Sequence, residues 1–481
     1  MSVAYRLQTA PQGSLTGSAK FDVVTKLVDK LSEDLESASL STQQRDAALE
    51  ELKIHGRDPR NSDPIFTKKG IETLTRHAFN EPSSATSRNA LRVLCNALLL
   101  KPETRQLFVS LGQEGKACSQ LRNDSRDDEF LVARLLLLTT YGTNTNLVKL
   151  VDEHHLGDGI IENLSRHASR ISETTVSKAR ADPMEEMALL ETLKLLFNVT
   201  KLCPERVDSF TPAISPLVTL LCKLNISSTR TPLDPPLGSV INALMNLNLD
   251  GEDAKASLYP KSEPTSVAEK LVNLLDIATK SYPDSDIDLS VSPLACIIAS
   301  IYEHAPESTR QLFQSKLLPA EEDRQSVLGK GDTLPARLLR NSTNALAPRF
   351  REVILALFFD MSDKDASKFV KNVGYGYASG FLHQNNIPMP DSVKEAQTAE
   401  GSGRLVNPIT GQFIDVEKFA DMPEMTDEEK EREAERLFVL FERLKKTGII
   451  SVQNPVEQAV QEGRFEELAD DYEEDVAKNV D

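Results

Sequence analysis

Leu91-Arg-Val-Leu-Cys-Asn-Ala-Leu-Leu-Leu100 decides the fold. It is apolar nearly all round, and a helix of that kind is buried between neighbours instead of lying on a surface. Lys101-Pro102-Glu103 follows at once. A proline forces the residue before it out of helical geometry, so the helix stops there. The theme returns along the chain. Leu193-Lys-Leu-Leu-Phe-Asn-Val-Thr200 leads into Lys201-Leu-Cys-Pro204-Glu205, and Val240-Ile-Asn-Ala-Leu-Met-Asn-Leu-Asn-Leu249 into Asp250-Gly251. Leu294-Ala-Cys-Ile-Ile-Ala-Ser-Ile-Tyr302 leads into Glu303-His-Ala-Pro306-Glu307, and Val353-Ile-Leu-Ala-Leu-Phe-Phe359 closes the series. Phe130-Leu-Val-Ala-Arg-Leu-Leu-Leu-Leu138 fits between the first two. Spacings of roughly 40–50 residues match armadillo and HEAT repeats, in which each unit covers the core of the next. The reading is an all-α protein, an armadillo/HEAT-like α-solenoid over residues 1–385, with an ordinary multi-helical globule as the alternative. Loops at 224–238, 250–265 and 319–348 make the period irregular.

Composition supports helix-on-helix packing. Hydrophobic residues make up 40% of the 481, aromatics only 5%, and tryptophan is absent. Such usage is poor in the aromatic residues that β-sheets favour. Formal net charge is −18, and the last 71 residues, with 9 basic against 21 acidic side chains, carry −12 of it. A nucleic-acid binder shows a concentrated basic field, and none is evident in the totals. The five cysteines (Cys95, Cys118, Cys203, Cys222 and Cys296) form no C-x-x-C pair and no ligand set with histidine. Cys95, Cys203 and Cys222 sit in apolar helical runs and read as buried free thiols, which points to a reducing compartment. Met1 to Ala10 lacks the apolar stretch of a signal peptide, and no apolar run approaches a membrane span.

Beyond the repeats, residues 386–425 shift toward Pro, Gly, Ser, Asn and Asp and read as an extended linker holding Asn407-Pro-Ile-Thr-Gly411. A C-terminal helical segment is expected over 426–464. Thr426-Asp-Glu-Glu429 has the form of a capping box. Ala434, Leu437, Phe438, Phe441 and Leu444 make one apolar stripe, which predicts that this helix docks on the solenoid or on a partner. Residues 465–481 form an acidic tail.

Catalytic chemistry finds no anchor. Gly115-Lys116 and Gly329-Lys330 lack the earlier glycine and the following Ser/Thr of a phosphate-binding loop. Gly374-Tyr-Gly376 is better explained as a helix terminator using positive φ. His154 and His155 are adjacent, so on a helix they point apart; a surface or capping role outweighs a metal site. No cofactor or metal is implied. What remains is a binding surface, since solenoids present a long concave groove suited to a peptide. Asn198 and Asn246 could bond a ligand backbone or satisfy an internal turn. Lys53 and Arg57 stand at i and i+4 if their stretch is helical; they could hold a carboxylate or form a solvated basic face.

One ordered set of segments resembles a known family. Arg349 to Leu382 (with Val373-Gly-Tyr-Gly376 and Ala378-x-Gly380), Asn407-Pro-Ile-Thr-Gly411 and Met425-Thr-Asp-Glu-Glu-Lys430 through Leu444 look like synembryn segments in sequence, as do Leu94-Cys-Asn96, Tyr141-Gly142 and Leu193–Val199. The resemblance implies a cytosolic armadillo-like protein. It would bind monomeric G-protein α subunits, GDP-bound or nucleotide-free, 1:1, and combine guanine-nucleotide exchange with chaperoning. It also implies that Lys53 and Arg57 hold the terminal carboxylate of the α-subunit tail and that Asn96 bonds its backbone. Leu437, Phe438 and Phe441 would face the partner or the solenoid. The segment before Asn407 departs from animal members, which carry a dense Ser/Thr-acidic phosphorylation stretch there. Only Ser392 resembles an acid-directed site, which points to a fungal member. An armadillo-type adaptor for another partner, without exchange activity, is the alternative.

Overall fold

The computed structural model describes residues 15–80, 84–173, 182–226, 231–388, 397–398, 404–407, 409–417 and single positions at 426 and between 430 and 439. Twenty-one α-helices, α1 to α21 in chain order, account for most of them, with one two-residue strand pair, Gln397–Thr398 against Leu405–Val406. Two units are distinguished, one reaching Val416 and one from Glu417 onward. In the second, the described positions between 430 and 439 are helical, and Phe438 is exposed. Leu437, Phe441 and Ser392 lie outside the described residues.

The first unit is an array of two helical layers. One layer runs α2 (Thr42–His55), α4 (Ala85–Leu100), α7 (Arg126–Thr139), α10 (Pro183–Leu202), α12 (Leu237–Leu244), α16 (Ser292–His304) and α19 (Pro348–Met361), each packed on the next. In the other, α1 (Gly17–Ser37) packs on α3 (Lys68–Phe79), and α6 (Glu114–Leu121), α9 (Leu156–Glu173), α11 (Ile214–Lys223) and α14 (Ser266–Ser281) pack in succession. The Leu-rich segments are the first layer. Leu94, Leu135, Leu193, Leu196, Leu244, Ile298 and Leu357 are all fully buried. Polar residues ahead of α2, α4 and α7 cap them. Ser84 accepts from the Ser87 N–H, Ser125 from Asp128, and Ser41 forms a reciprocal capping box with Gln44; each such cap is worth about 1 kcal/mol.

Polar side chains reveal the period directly. Lys69–Asp29 (2.7 Å), Arg76–Glu36 (2.6 Å), Arg88–Asp128 (3.1 Å) and Arg122–Glu162 (2.8 Å) are ion pairs, and Thr86 Oγ1 donates to Asp46 at 2.6 Å. All five join residues 40 apart. Between α7 and α10 the offset grows to 56–58, through Arg126–Asp182, Arg134–Glu191 and Asn198 to Thr140. Beyond that it is 45–49 in Asn246 to Thr200, Lys270 to Leu224, Thr309 to Pro264 and Tyr377 to Leu328, and 58–62 where Arg337 reaches Thr279 and Asp276 and where the Arg349 and Phe350 N–H groups reach Asp288. Loop length varies while the helices keep their register.

Between α7, α9 and α10 lies a buried polar clamp. His167 is almost completely enclosed; one ring nitrogen meets Glu129 at 2.9 Å and the other Glu185 at 2.6 Å, and Thr192 donates to Glu129 at 2.7 Å. Arg126 and Arg170 also pair with Glu185. Burial by itself disfavours the imidazolium, but the bonds to Glu129 and Glu185 outweigh it and raise the His167 pKa. Burial likewise works against the Glu185 charge, yet the bonds from His167 and Arg170 bring that carboxyl down to about 2.

The C-terminal end departs from the expected linker. α19 closes at Ser362, Asp365 caps α20 (Ala366–Val373), and Gly374 at φ 83° joins it to α21 (Tyr375–Gln384). The glycine therefore ends a helix, as its sequence context predicts. Residues 404–416, read from composition as part of an extended linker, instead fold as a strap within the first unit. The Leu328 N–H donates to Thr410 O and the Phe413 N–H to Arg324 O. The buried Arg324 guanidinium donates to the carbonyls of Gly411 (2.9 Å), Lys371 (3.0 Å) and Asn372 (3.1 Å). Polar, glycine-rich composition marks irregular backbone but does not say whether distant donors will satisfy it.

Candidate functional site

Three asparagines of the Leu-rich segments, Asn96, Asn198 and Asn246, have different fates. Asn198 Nδ2 donates to Thr140 Oγ1 at 2.8 Å, and Asn246 Nδ2 to Phe197 O at 3.1 Å and Thr200 Oγ1 at 3.3 Å. Both pin one helix of the layer to the previous one and are spent on the fold. Asn96, half-buried on α4, makes no hydrogen bond through its side chain among the described residues. It is the one of the three left available to a ligand.

Lys53 lies in the last turn of α2, and Arg57 follows the C-cap Gly56. α2 packs along α4. The Thr86–Asp46 bond sets these two helices at the 40-residue offset. Lys53 and Asn96 therefore lie on neighbouring helices of one layer, and Arg57 follows α2 just past its C-cap. Lys53 is paired with Glu50 on its own helix. Arg57 is exposed and has no side-chain partner among the described residues. Its neighbour Asp58 is already taken: Arg60 chelates that carboxylate with Nε at 3.0 and 3.1 Å and Nη2 at 2.7 Å. The Arg60 bonds, against burial, hold the Asp58 carboxyl below its usual range. The closest acid in sequence is thus withdrawn from Arg57. A free guanidinium, a tethered ammonium and a free amide share one end of the array. Such a set suits a chain ending in a carboxylate, which a guanidinium binds through two parallel hydrogen bonds.

Features that sequence reading missed extend from this end. Lys101 sits 5.9 Å over the Phe66 ring, Arg105 5.9 Å over Tyr141, Arg134 5.8 Å over Phe130 and Lys201 5.7 Å over Phe197. Each cation rests on an aromatic face, an attraction worth about 0.5–1 kcal/mol at exposed sites. Ile54, Tyr141, Leu202 and Met245 are exposed. The C-terminal ends of α2, α7, α10 and α12 therefore offer apolar and basic side chains side by side. The repeated Lys-x-x-Pro-Glu pattern after α10, and Lys-Pro-Glu after α4, is the signal that could have marked this edge.

Catalytic and metal chemistry have no foothold among the described residues. No group of three or more His, Cys, Asp or Glu has metal-binding geometry there. His155 precedes α9 and pairs with Asp158 at 3.1 Å, a capping position. The cysteines are unpaired. Burial pushes the Cys95 and Cys118 thiols up to about 12, far from the thiolate a nucleophile needs. No helix among the described residues is by itself long and apolar enough to cross a membrane.

A two-layered helical-repeat array presents an extended surface of the kind that suits binding another protein. The sequence profile of the guanine nucleotide exchange factor synembryn family matches residues 48–464, and the chain belongs to that family. The chaperone Ric-8A of Xenopus tropicalis is 25% identical, over 88% of this chain and 84% of its own length; that of Gallus gallus is 25% identical over 84% and 81%. A synembryn-like chaperone of Schizosaccharomyces pombe is 29% identical over 58% of this chain, a match spanning about half (55%) of that relative's length.

Proposed function

We propose that the protein is a guanine-nucleotide exchange factor and folding chaperone for monomeric G-protein α subunits. It captures the α subunit's C-terminal helix on the exposed face of the α2–α4–α7–α10 layer. Arg57 and Lys53 hold the terminal carboxylate, and Asn96 bonds the last turn of backbone. The exposed Arg57, with no side-chain partner among the described residues, and the unbonded Asn96 on the helix that packs along α2 support this assignment; membership of an exchange-factor family and chaperone relatives support the activity. That C-terminal helix packs on the α subunit's own nucleotide-binding core, so its capture withdraws support from the guanine pocket. The mechanism is linkage. A partner that prefers the empty α subunit must lower nucleotide affinity by the same factor by which nucleotide lowers its own. GTP, favouring the closed α subunit, then expels the partner. The C-terminal stripe of Leu437, Phe438 and Phe441 either contacts the α subunit or stiffens this protein. Its working place is the cytoplasm, with the cell cortex reached through the bound α subunit.

GDP release from a purified α subunit, followed by gel filtration without nucleotide, tests the reading. Faster release and a 1:1 complex that GTP dissociates are expected. Binding without any change in release would instead make the protein an adaptor of armadillo type.

A further inference from the structure

The loop that carries Arg57 rests on a lysine from another helix. Lys20, in the first turn of α1, is buried, and its ammonium donates to the carbonyls of Asp58 at 2.8 Å and Arg60 at 2.7 Å. Burial lowers its pKa. Ser62, also buried, donates its hydroxyl to the carbonyls of His55 at 3.0 Å and Asp58 at 3.1 Å. The Asp58 carbonyl thus receives two side-chain donors, one from α1 and one from the end of the loop itself. Asn61, between them, holds φ at 57°, a left-handed turn that asparagine tolerates. By contrast, the loop's own backbone bond at Arg57, to Ile54 O, is long at 3.4 Å. Arg57 is the residue immediately before the doubly bonded carbonyl, and its side chain has no partner among the described residues.

We infer that Lys20 is a positioning residue for partner binding: by fixing the Asp58 and Arg60 carbonyls it sets where the Arg57 guanidinium meets the partner's terminal carboxylate. A buried ammonium bonded to two carbonyls is a costly way to close a surface loop, since burying a charge is unfavourable and the nearby Asp58 and Asp63 charges offset the burial only in part. The cost has a use if the loop's other cation must stay in place with no partner of its own. Lys20 touches no ligand; it acts through the backbone on which Arg57 stands. The inference rests on the proposed carboxylate site.

The test measures binding of a synthetic peptide with the C-terminal sequence of a G-protein α subunit, as free acid and as amide, to the full-length protein. Arg57→Ala is expected to weaken the acid about tenfold or more and the amide little. Lys20→Met should weaken the acid about three- to tenfold, Lys20→Arg should restore it, and Lys20→Met should add nothing in the Arg57→Ala background. Ser62→Ala, a milder removal of the second brace, should act in the same direction as Lys20→Met and guards against a Lys20 variant that fails to fold. An unchanged Arg57→Ala protein would sink the carboxylate site itself. If Arg57→Ala weakens binding while Lys20→Met and Ser62→Ala bind like wild type, or if Lys20→Met weakens binding further in the Arg57→Ala background, the positioning role is wrong and the site stands.

Discussion

The loop 56–62 near one end of the array and the strap 404–416 at the other are built by the same device and finished differently. In each, a buried cation that forms no direct ion pair among the described residues gathers backbone carbonyls: Lys20 takes two and Arg324 takes three. The N-terminal loop, once fixed, displays a charge, the exposed Arg57. The C-terminal strap displays apolar side chains, with Leu405, Ile409 and Ile414 exposed by 51%, 64% and 42%. A fixed irregular segment can present what a helix face at the same place would have to bury. The two ends thus differ in what they show while sharing how they are held.

The comparison breaks most visibly at Arg324. Arg324→Met leaves up to three buried carbonyls without a donor, at about 1–3 kcal/mol for each one that water cannot reach. A fall in thermal stability with new proteolytic cutting near residues 404–416 is expected; unchanged stability and protection would mean that the strap is held by its backbone bonds alone.

His167 sharpens the contrast, because its cation is met by carboxylates and not by carbonyls. Its pKa is raised in the folded state, so the stability it confers is complete below the unfolded value of about 6.5 and is lost as pH climbs through the folded one. His167→Gln is expected to cost about 1–3 kcal/mol in acid solution and to flatten the decline in melting temperature above about pH 6.5. A variant that keeps the wild-type slope would show that other groups set it. Lys20 and Arg324 variants should leave that slope intact.

The smallest effect concerns Lys53. Glu50 holds it in an i,i+3 pair. Pairs of this kind are worth less than about 1 kcal/mol. Glu50→Gln should free the ammonium and tighten binding of the carboxylate peptide by up to about fivefold, with no change for the amide. Weaker binding would mean that the pair itself positions Lys53.

Much of the fold was legible. Apolar segments, three of them ended by proline, named every first-layer helix from α4 onward but not α2, and Gly374 was rightly assigned to a helix end. The strap was not, because its main side-chain donor, Arg324, lies 87 residues from the Gly411 carbonyl it serves. At the candidate site, sequence alone left Asn198 and Asn246 open between ligand and scaffold; the helix offset settles both as scaffold, since it places Thr140 and Thr200 opposite them. Lys20 was invisible for a related reason. A lysine in an amphipathic helix is ordinarily solvated, and only the fold brings two carbonyls to it.

The forty-residue stitching of Lys69, Arg76, Arg88 and Arg122 has a consequence for how the protein comes apart. Every stitch joins a repeat to its immediate neighbour, so cohesion passes along the chain as in a one-dimensional magnet, where a spin feels only the spins beside it. Interior helices are supported from two sides and terminal ones from one. Amide exchange should therefore be slowest near α7 and α10 and quicken toward both ends, and a lesion at one end should travel inward only as far as coupling to the next repeat carries it.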